Sequence, residues 1–153
     1  MQIALYEPDI PQNTGTIMRL CVCLDVPVHI IEPAGFDASD RALKRAGLDY
    51  LDHVHIERHV SFATFEKWRQ GENLRLILLT TKAKQLYVGF DYTESDILLL
   101  GRESSGVPEE VHRRADAAVR IPLVPGMRSL NVATAAATVL GEALRQTGGL
   151  PAA

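Results

Sequence analysis

IPLVPGMRSLNVATAAATVL, residues 121–140, carries a β-branched run into Pro122, a loop with Pro125 and Gly126, and then a helix of small residues. Prolines stiffen such a loop and glycine permits close approach, so its backbone groups can face a ligand. The helix start leaves amide donors unpaired. Arg128, Ser129 and Asn131 crowd that start, where they can cap the helix or do chemistry.

The same strand–loop–helix alternation recurs upstream. Residues 2–6 alternate and end at Glu7-Pro8, as a strand leaving a sheet does. Asn13 is placed to cap a helix over 14–24, with Ile17, Leu20, Cys21 and Leu24 as its core stripe and Gly15 and Arg19 on the opposite face. Residues 28–31 form a second strand, again ending in Glu-Pro. A short basic helix over 40–46 stops at Gly47, and 54–56 is a short strand. Residues 61–70 form a helix capped by Ser61, with Phe62, Phe65 and Trp68 as its apolar stripe. Buried strands follow at 74–79 and 97–100, while 87–91 has no clear pattern. A short helix over 108–114 has Pro108 at its first position. A last strand at 118–121 leads to a final helix at 131–146. Alternating strands and helices define an α/β fold with a mainly parallel sheet. Ligands of such sheets bind beyond the carboxyl ends of strands. Asn13, Leu79-Thr80, Gly101–Glu103 and residues 123–131 all fall there.

A chain of 153 residues reads as one domain, 1–153, large enough to bury roughly 68–70% of its unfolded surface. No apolar run approaches the ~20 residues of a membrane span, and the N-terminus lacks a signal-peptide pattern. With Cys21 and Cys23 as the only cysteines, two apart on a helix, a reducing cytoplasm is expected and no disulfide. No Cys/His spacing suggests zinc, and the five histidines form no HExxH-type motif. The net charge of −3 argues against a dedicated basic nucleic-acid domain. Residues 1–40 carry six acids and a single cation, Arg19, whereas the rest carries 15 cations and 13 acids, which leaves room for a local basic patch.

Three motifs can carry chemistry: Asn13-x-Gly15-x-x-x-Arg19, Gly101-Arg102-Glu103-Ser104-Ser105-Gly106-Val107-Pro108, and Arg128-Ser129-Leu130-Asn131. Each alone has a plain structural reading: a capped helix with a solvated arginine, a glycine-rich turn with an exposed acid, a pair of helix caps. The second is neither a Walker loop nor a GxGxxG dinucleotide fingerprint. Together the three resemble the signature motifs of the SPOUT class of S-adenosylmethionine-dependent RNA methyltransferases, SpoU branch. The runs LYEPDIPQNTG, HIIEPAGF, LKRAGLDY, LLTTK and IPLVPGMRSLN are similar to the small tRNA wobble-nucleotide ribose 2′-O-methyltransferases of the TrmL (YibK-like) family, and the likeness spans roughly residues 2–146.

The resemblance implies a deep C-terminal trefoil knot over residues 79–140, a feature sequence physics does not propose because knots are nearly absent from folds in general. It implies a pocket for S-adenosyl-L-methionine lined by Leu79, Thr80, Gly101, Ile121, Leu123, Ser129 and Leu130. It also implies an obligate homodimer with the arginine supplied by the other chain, and an anticodon stem-loop of tRNA as substrate. The catalytic set carried over is Arg19, Asn13, Glu103, Ser129 and Asn131, with no metal. A guanidinium hardly deprotonates, so Arg19 is expected to clamp an alkoxide or phosphate. Asn13, Ser129 and Asn131 would orient the ribose, and Glu103 would brace the arginine or the amide network. Arg41, Lys44, Arg45, Lys82, Lys84 and Arg128 are the candidate RNA contacts. The final helix adds its own reading: Val132, Ala136, Val139, Leu140 and Ala143 form a core stripe. The small residues Thr134, Ala137, Thr138 and Gly141 on the other side suit close packing within the fold or across a dimer. The competing functions are methylation of rRNA and a non-catalytic RNA-binding module on the same fold.

Overall fold

Seven parallel strands form one sheet in the order β3-β2-β1-β6-β4-β7-β5 in the computed structural model, which describes residues 1–45 and 50–152. The strands are β1 (Gln2–Tyr6), β2 (Val28–Ile31), β3 (Ile56–His59), β4 (Arg75–Leu79), β5 (Gln85–Leu86), β6 (Asp96–Leu100) and β7 (Ala117–Arg120). The helices are α1 (Pro11–Leu24), α2 (Asp40–Arg45), α3 (Phe62–Gly71), α4 (Glu109–Arg114) and α5 (Val132–Thr147).

Near-continuous apolar runs such as Ile97–Leu100 are buried on both faces, as parallel strands covered by helices must be. Period-2 alternation divides them. Ile3, Leu5, Leu98 and Leu100 pack against Ile17 and Cys21 of α1 and Ala136, Val139 and Leu140 of α5. Ala4, Tyr6, Leu76, Leu78 and Leu99 face Phe65 of α3 and Val111 of α4. In register, Leu5 and Leu79 both sit beside Leu100, and Leu79 also sits beside Val119. The carboxyl ends of β1, β6, β4 and β7 therefore finish level, and the loops after them share one edge.

Several boundaries depart from the sequence reading. α1 begins at Pro11, three residues before the expected start, because proline's fixed φ suits the first helical position. Ile10 is the capping position and makes no side-chain bond, so Asn13 is not the cap; it lies inside the first turn with its amide free for other partners. The strand expected at 54–56 runs instead over Ile56–His59, since polar Glu57 and Arg58 disguise an edge strand. β5, a two-residue strand, is too short for any periodicity and precedes the stretch in question. Pro108 caps α4 from outside, and Asn131 caps α5 rather than opening it. The stop of α2 at Gly47 lies outside the described residues. On α5 the buried stripe takes in Ala133 and Leu144 as well, while Thr134 and Ala137 are exposed and Thr138 and Gly141 half-buried. No helix among the described residues is long and apolar enough to cross a membrane.

Candidate active site

A cleft of about 460 Å³ opens beyond the carboxyl ends of β6, β4 and β7. Its wall comes from Leu79, Thr80, Gly101, Ile121, Leu123, Ser129 and Leu130, all seven of the residues expected at a cofactor. Asn13, Glu103 and Asn131 reach it from the α1, β6–α4 and α5 sides. Its floor requires glycine at 101: a Cβ there would meet the Gly106 backbone at 2.9 Å. Gly106 itself has φ of 68°, the left-handed region that glycine enters at no steric cost. Its N–H donates to the Arg102 carbonyl at 2.7 Å, and its carbonyl accepts the Arg102 N–H at 3.0 Å, which closes the loop on itself.

The polar rim has a direction. The Asp9 backbone N–H donates to Glu103 Oε2 (2.9 Å), and Asn13 Nδ2 donates to Glu103 Oε1 (3.4 Å). With its nitrogen turned to Glu103, Asn13 offers Oδ1 outward, and Asn131 Nδ2 donates to it at 2.9 Å. Asn131 Oδ1 in turn accepts the Ala133 and Thr134 N–H groups of α5. Asn131 thus caps α5 and also joins the polar rim of the cleft. Each amide nitrogen uses one of its two protons in this chain of bonds, leaving a second donor for a ligand. Glu103 braces the amides within this chain, not Arg19.

Burial, followed by a shared hydrogen bond with the Asp9 carboxyl, raises the pKa of Glu103; the same bond lowers that of Asp9. Ser104 Oγ also donates to Asp9. Arg102 Nε donates to the Glu7 carbonyl at 3.0 Å and lies 3.5 Å from Asp9 Oδ2, tying the loop after β1 to the loop after β6. Gly35 then packs on Asp9, where a Cβ would approach the Asp9 Cβ at 2.7 Å.

Arg19 is exposed and lines no part of this cleft. Its guanidinium lies over the Tyr50 ring, 4.6 Å from the centroid, and the Tyr50 hydroxyl donates to the Gly15 carbonyl at 3.0 Å. Tyr50 therefore sits against the face of α1 that carries Gly15 and Arg19. Ser129 is exposed at the cleft mouth. Of the candidate RNA contacts, Arg41, Arg45, Lys82, Lys84 and Arg128 are exposed, while Lys44 pairs with Asp52 at 2.6 Å. Asp9, Arg102 and Tyr50 were not among the expected site residues. Glu-Pro-Asp after β1 and the arginine beside Glu103 were the available signals, but their partners lie over ninety residues away.

Residues 1–141 match the model of the SpoU rRNA Methylase family. A tRNA (cytidine(34)-2′-O)-methyltransferase of Beijerinckia indica is 64% identical, over 97% of this chain and 92% of that protein. A protein whose structure was solved for insight into the 2-OH methylation of C/U34 on tRNA superposes with a TM-score of 0.86; it is 40% identical, covering 95% of this chain and 94% of that one. An AdoMet-bound rRNA methyltransferase from Sinorhizobium meliloti is 27% identical with a TM-score of 0.83, covering 94% of this chain and 55% of that one.

Proposed function

This chain belongs to the SpoU rRNA Methylase family, and from that membership we propose that it methylates the ribose 2′-hydroxyl of nucleotide 34, cytidine or uridine, in the tRNA anticodon stem-loop, using S-adenosyl-L-methionine. The observation that carries this reading is the meeting of two residue sets on one cleft: an apolar wall on a bare glycine floor, and a directed chain of amides at its rim. The 64% identity to a protein of that named activity supports the substrate.

The residues present fit the cofactor. Leu79, Ile121, Leu123 and Leu130 offer apolar contact to a nucleoside, and residues 121–131 lie outside helix and strand, so their backbone groups remain available for polar contacts. When bound, the sulfonium cofactor supplies an already activated methyl group. The weakly acidic hydroxyl is the protein's problem. The spare amide protons of Asn13 and Asn131, with Ser129 Oγ, orient the ribose. Glu103 keeps Asn13 from turning over. As the hydroxyl proton passes to solvent water, charge developing on the 2′-oxygen needs a fixed cation, and Arg19 provides it while keeping its own proton.

Arg19 lines no part of its own chain's cleft, which supports its delivery from a second subunit; the working unit is then a homodimer. The small residues exposed on α5 are available for that contact. The connections into β5, β6 and β7 all run within the same half of the sheet, β6-β4-β7-β5, which supports the trefoil knot over residues 79–140. Residues 1–153 act as a single domain, in the cytoplasm with the tRNA. Arg41, Arg45, Lys82, Lys84 and Arg128 contact phosphates, too few for tight binding, so affinity falls with salt.

The test is methyl transfer from tritiated cofactor to tRNA and to rRNA, both taken from cells lacking this gene, followed by mapping of 2′-O-methyl nucleotides. Label on tRNA at nucleotide 34 is expected. Label on rRNA alone would replace the substrate, and cofactor binding without transfer to either would favour a non-catalytic RNA-binding module.

A further inference from the structure

At the sheet edge away from the cleft, β3 carries Glu57 and His59 two residues apart, on one face. Register sets His29 of β2 opposite Glu57. His29 and His59 are both nearly fully buried, at 1% and 3% exposure, against Phe65 and Trp68 of α3. His29 Nδ1 lies 3.0 Å from His59 Nε2 and 3.8 Å from Glu57 Oε2, and one ligand atom from each residue falls within 4.8 Å of the others. The far nitrogen of His29, Nε2, lies 2.6 Å from Gln2 Oε1. A carbonyl oxygen only accepts, so His29 carries its proton on Nε2 and turns the Nδ1 lone pair inward.

We propose that His29 Nδ1, His59 Nε2 and a Glu57 carboxylate oxygen form a binding site for a zinc-class divalent transition cation, with water in the fourth position. Ligand nitrogens about 2.0–2.1 Å from a tetrahedral ion stand roughly 3.4 Å from one another, and the two measured separations bracket that value. The third side closes by rotation of Glu57, whose side chain is 40% exposed and gives the ion its path in. Gln2 is the outer partner that fixes a ligating imidazole's tautomer. Two imidazoles and one carboxylate favour zinc, cobalt, nickel or copper over magnesium or calcium. Burial lowers the pKa of both histidines, that of His29 to about 4. Without metal, His59 Nε2–H donates to His29 Nδ1. On binding, His59 shifts that proton to Nδ1, so no net proton is released. None of the three residues lines the cleft. The ion would staple the edge strand β3 to β2 and leave methyl transfer unchanged.

Trp68 is the chain's only tryptophan, and its ring lies 4.5 Å from that of His29 and 5.2 Å from that of His59. The full chain, stripped with chelator, is titrated with cobalt chloride while Trp68 fluorescence and visible absorption are followed. One equivalent of cobalt should quench the fluorescence saturably and raise tetrahedral absorption bands, and zinc should displace it and raise the melting temperature. Glu57→Gln should weaken cobalt at least about tenfold, and His59→Gln should abolish the bands. The exposed His53→Asn should change neither. If His59→Gln does not fold, Glu57→Gln decides alone, because its side chain reaches the surface. No saturable response up to millimolar cobalt, an equal response to magnesium, or full binding by Glu57→Gln would overturn the site.

Discussion

Asn131 holds two jobs in one amide, and substitution can separate them. Its Oδ1 caps α5 and its Nδ2 fixes Asn13. Asn131→Ala removes both, so stability should fall by about 1 kcal/mol and turnover with it. Asn131→Asp keeps the acceptor and adds charge suited to a helix start, but cannot donate to Asn13. Its melting temperature should match or exceed wild type, while kcat drops about a hundredfold. Equal losses of stability in the two variants would show that the bond to Asn13, which both lose, holds the helix start, and not the cap, which only Asn131→Ala loses. Gly101 makes a different demand. A methyl group there meets main-chain atoms of Gly106, which cannot rotate away. Gly101→Ala should cost about 1–3 kcal/mol and weaken cofactor binding measured by calorimetry. At this scale the motifs point to Asn13, Glu103 and Asn131, but not to Asp9, whose bonds to Glu103 and Ser104 join the loop after β1 to the loop after β6, neighbours only in the folded sheet.

Elements show where local pattern sufficed and where it did not. β1, β2 and β4 were legible because each is an apolar run bounded by Glu-Pro or polar residues. The start of α1 differs from its sequence pattern because Asn13 has the chemistry of a cap, whereas Pro11 already holds the first helical position. β3 escapes local pattern because Glu57 and Arg58 are polar, while His59 is buried in a pair that only the pairing with β2 creates. Within α1, Cys21 is fully buried and burial pushes its thiol up to about 12, whereas Cys23 is exposed. Ellman's reagent should therefore titrate one thiol in the native chain and both after unfolding. The start of β6 rests on a charge with no exposure at all: Asp96 takes a two-pronged bond from Arg75 (2.6 and 2.8 Å) and two more donors from Thr93. Asp96→Ala strands those donors, and denaturant unfolding should register a loss of about 3–5 kcal/mol.

The order of the whole sheet is the part no local pattern carries. β6 enters between β1 and β4, and β7 between β4 and β5, so the strands that frame the cleft come from distant parts of the chain. That arrangement brings the loops at 101–106 and 121–131 against the helix that starts at Pro11, yet leaves Arg19 of the same helix on Tyr50 and outside the cleft. A complete site in the proposed homodimer then needs two chains, which complementation can test. Arg19→Ala keeps an intact cleft but lacks the cation. Asn13→Ala keeps the cation but has a broken rim. Each alone should be nearly inactive. Mixed in equal amounts after unfolding and refolding together, half of the dimers are hybrids, and each hybrid holds one site built wholly from unaltered residues. Random assortment in a two-fold dimer should restore about a quarter of wild-type turnover. If each cleft used its own Arg19, every site in the mixture would carry a lesion and the refolded sample would stay as inactive as its parents.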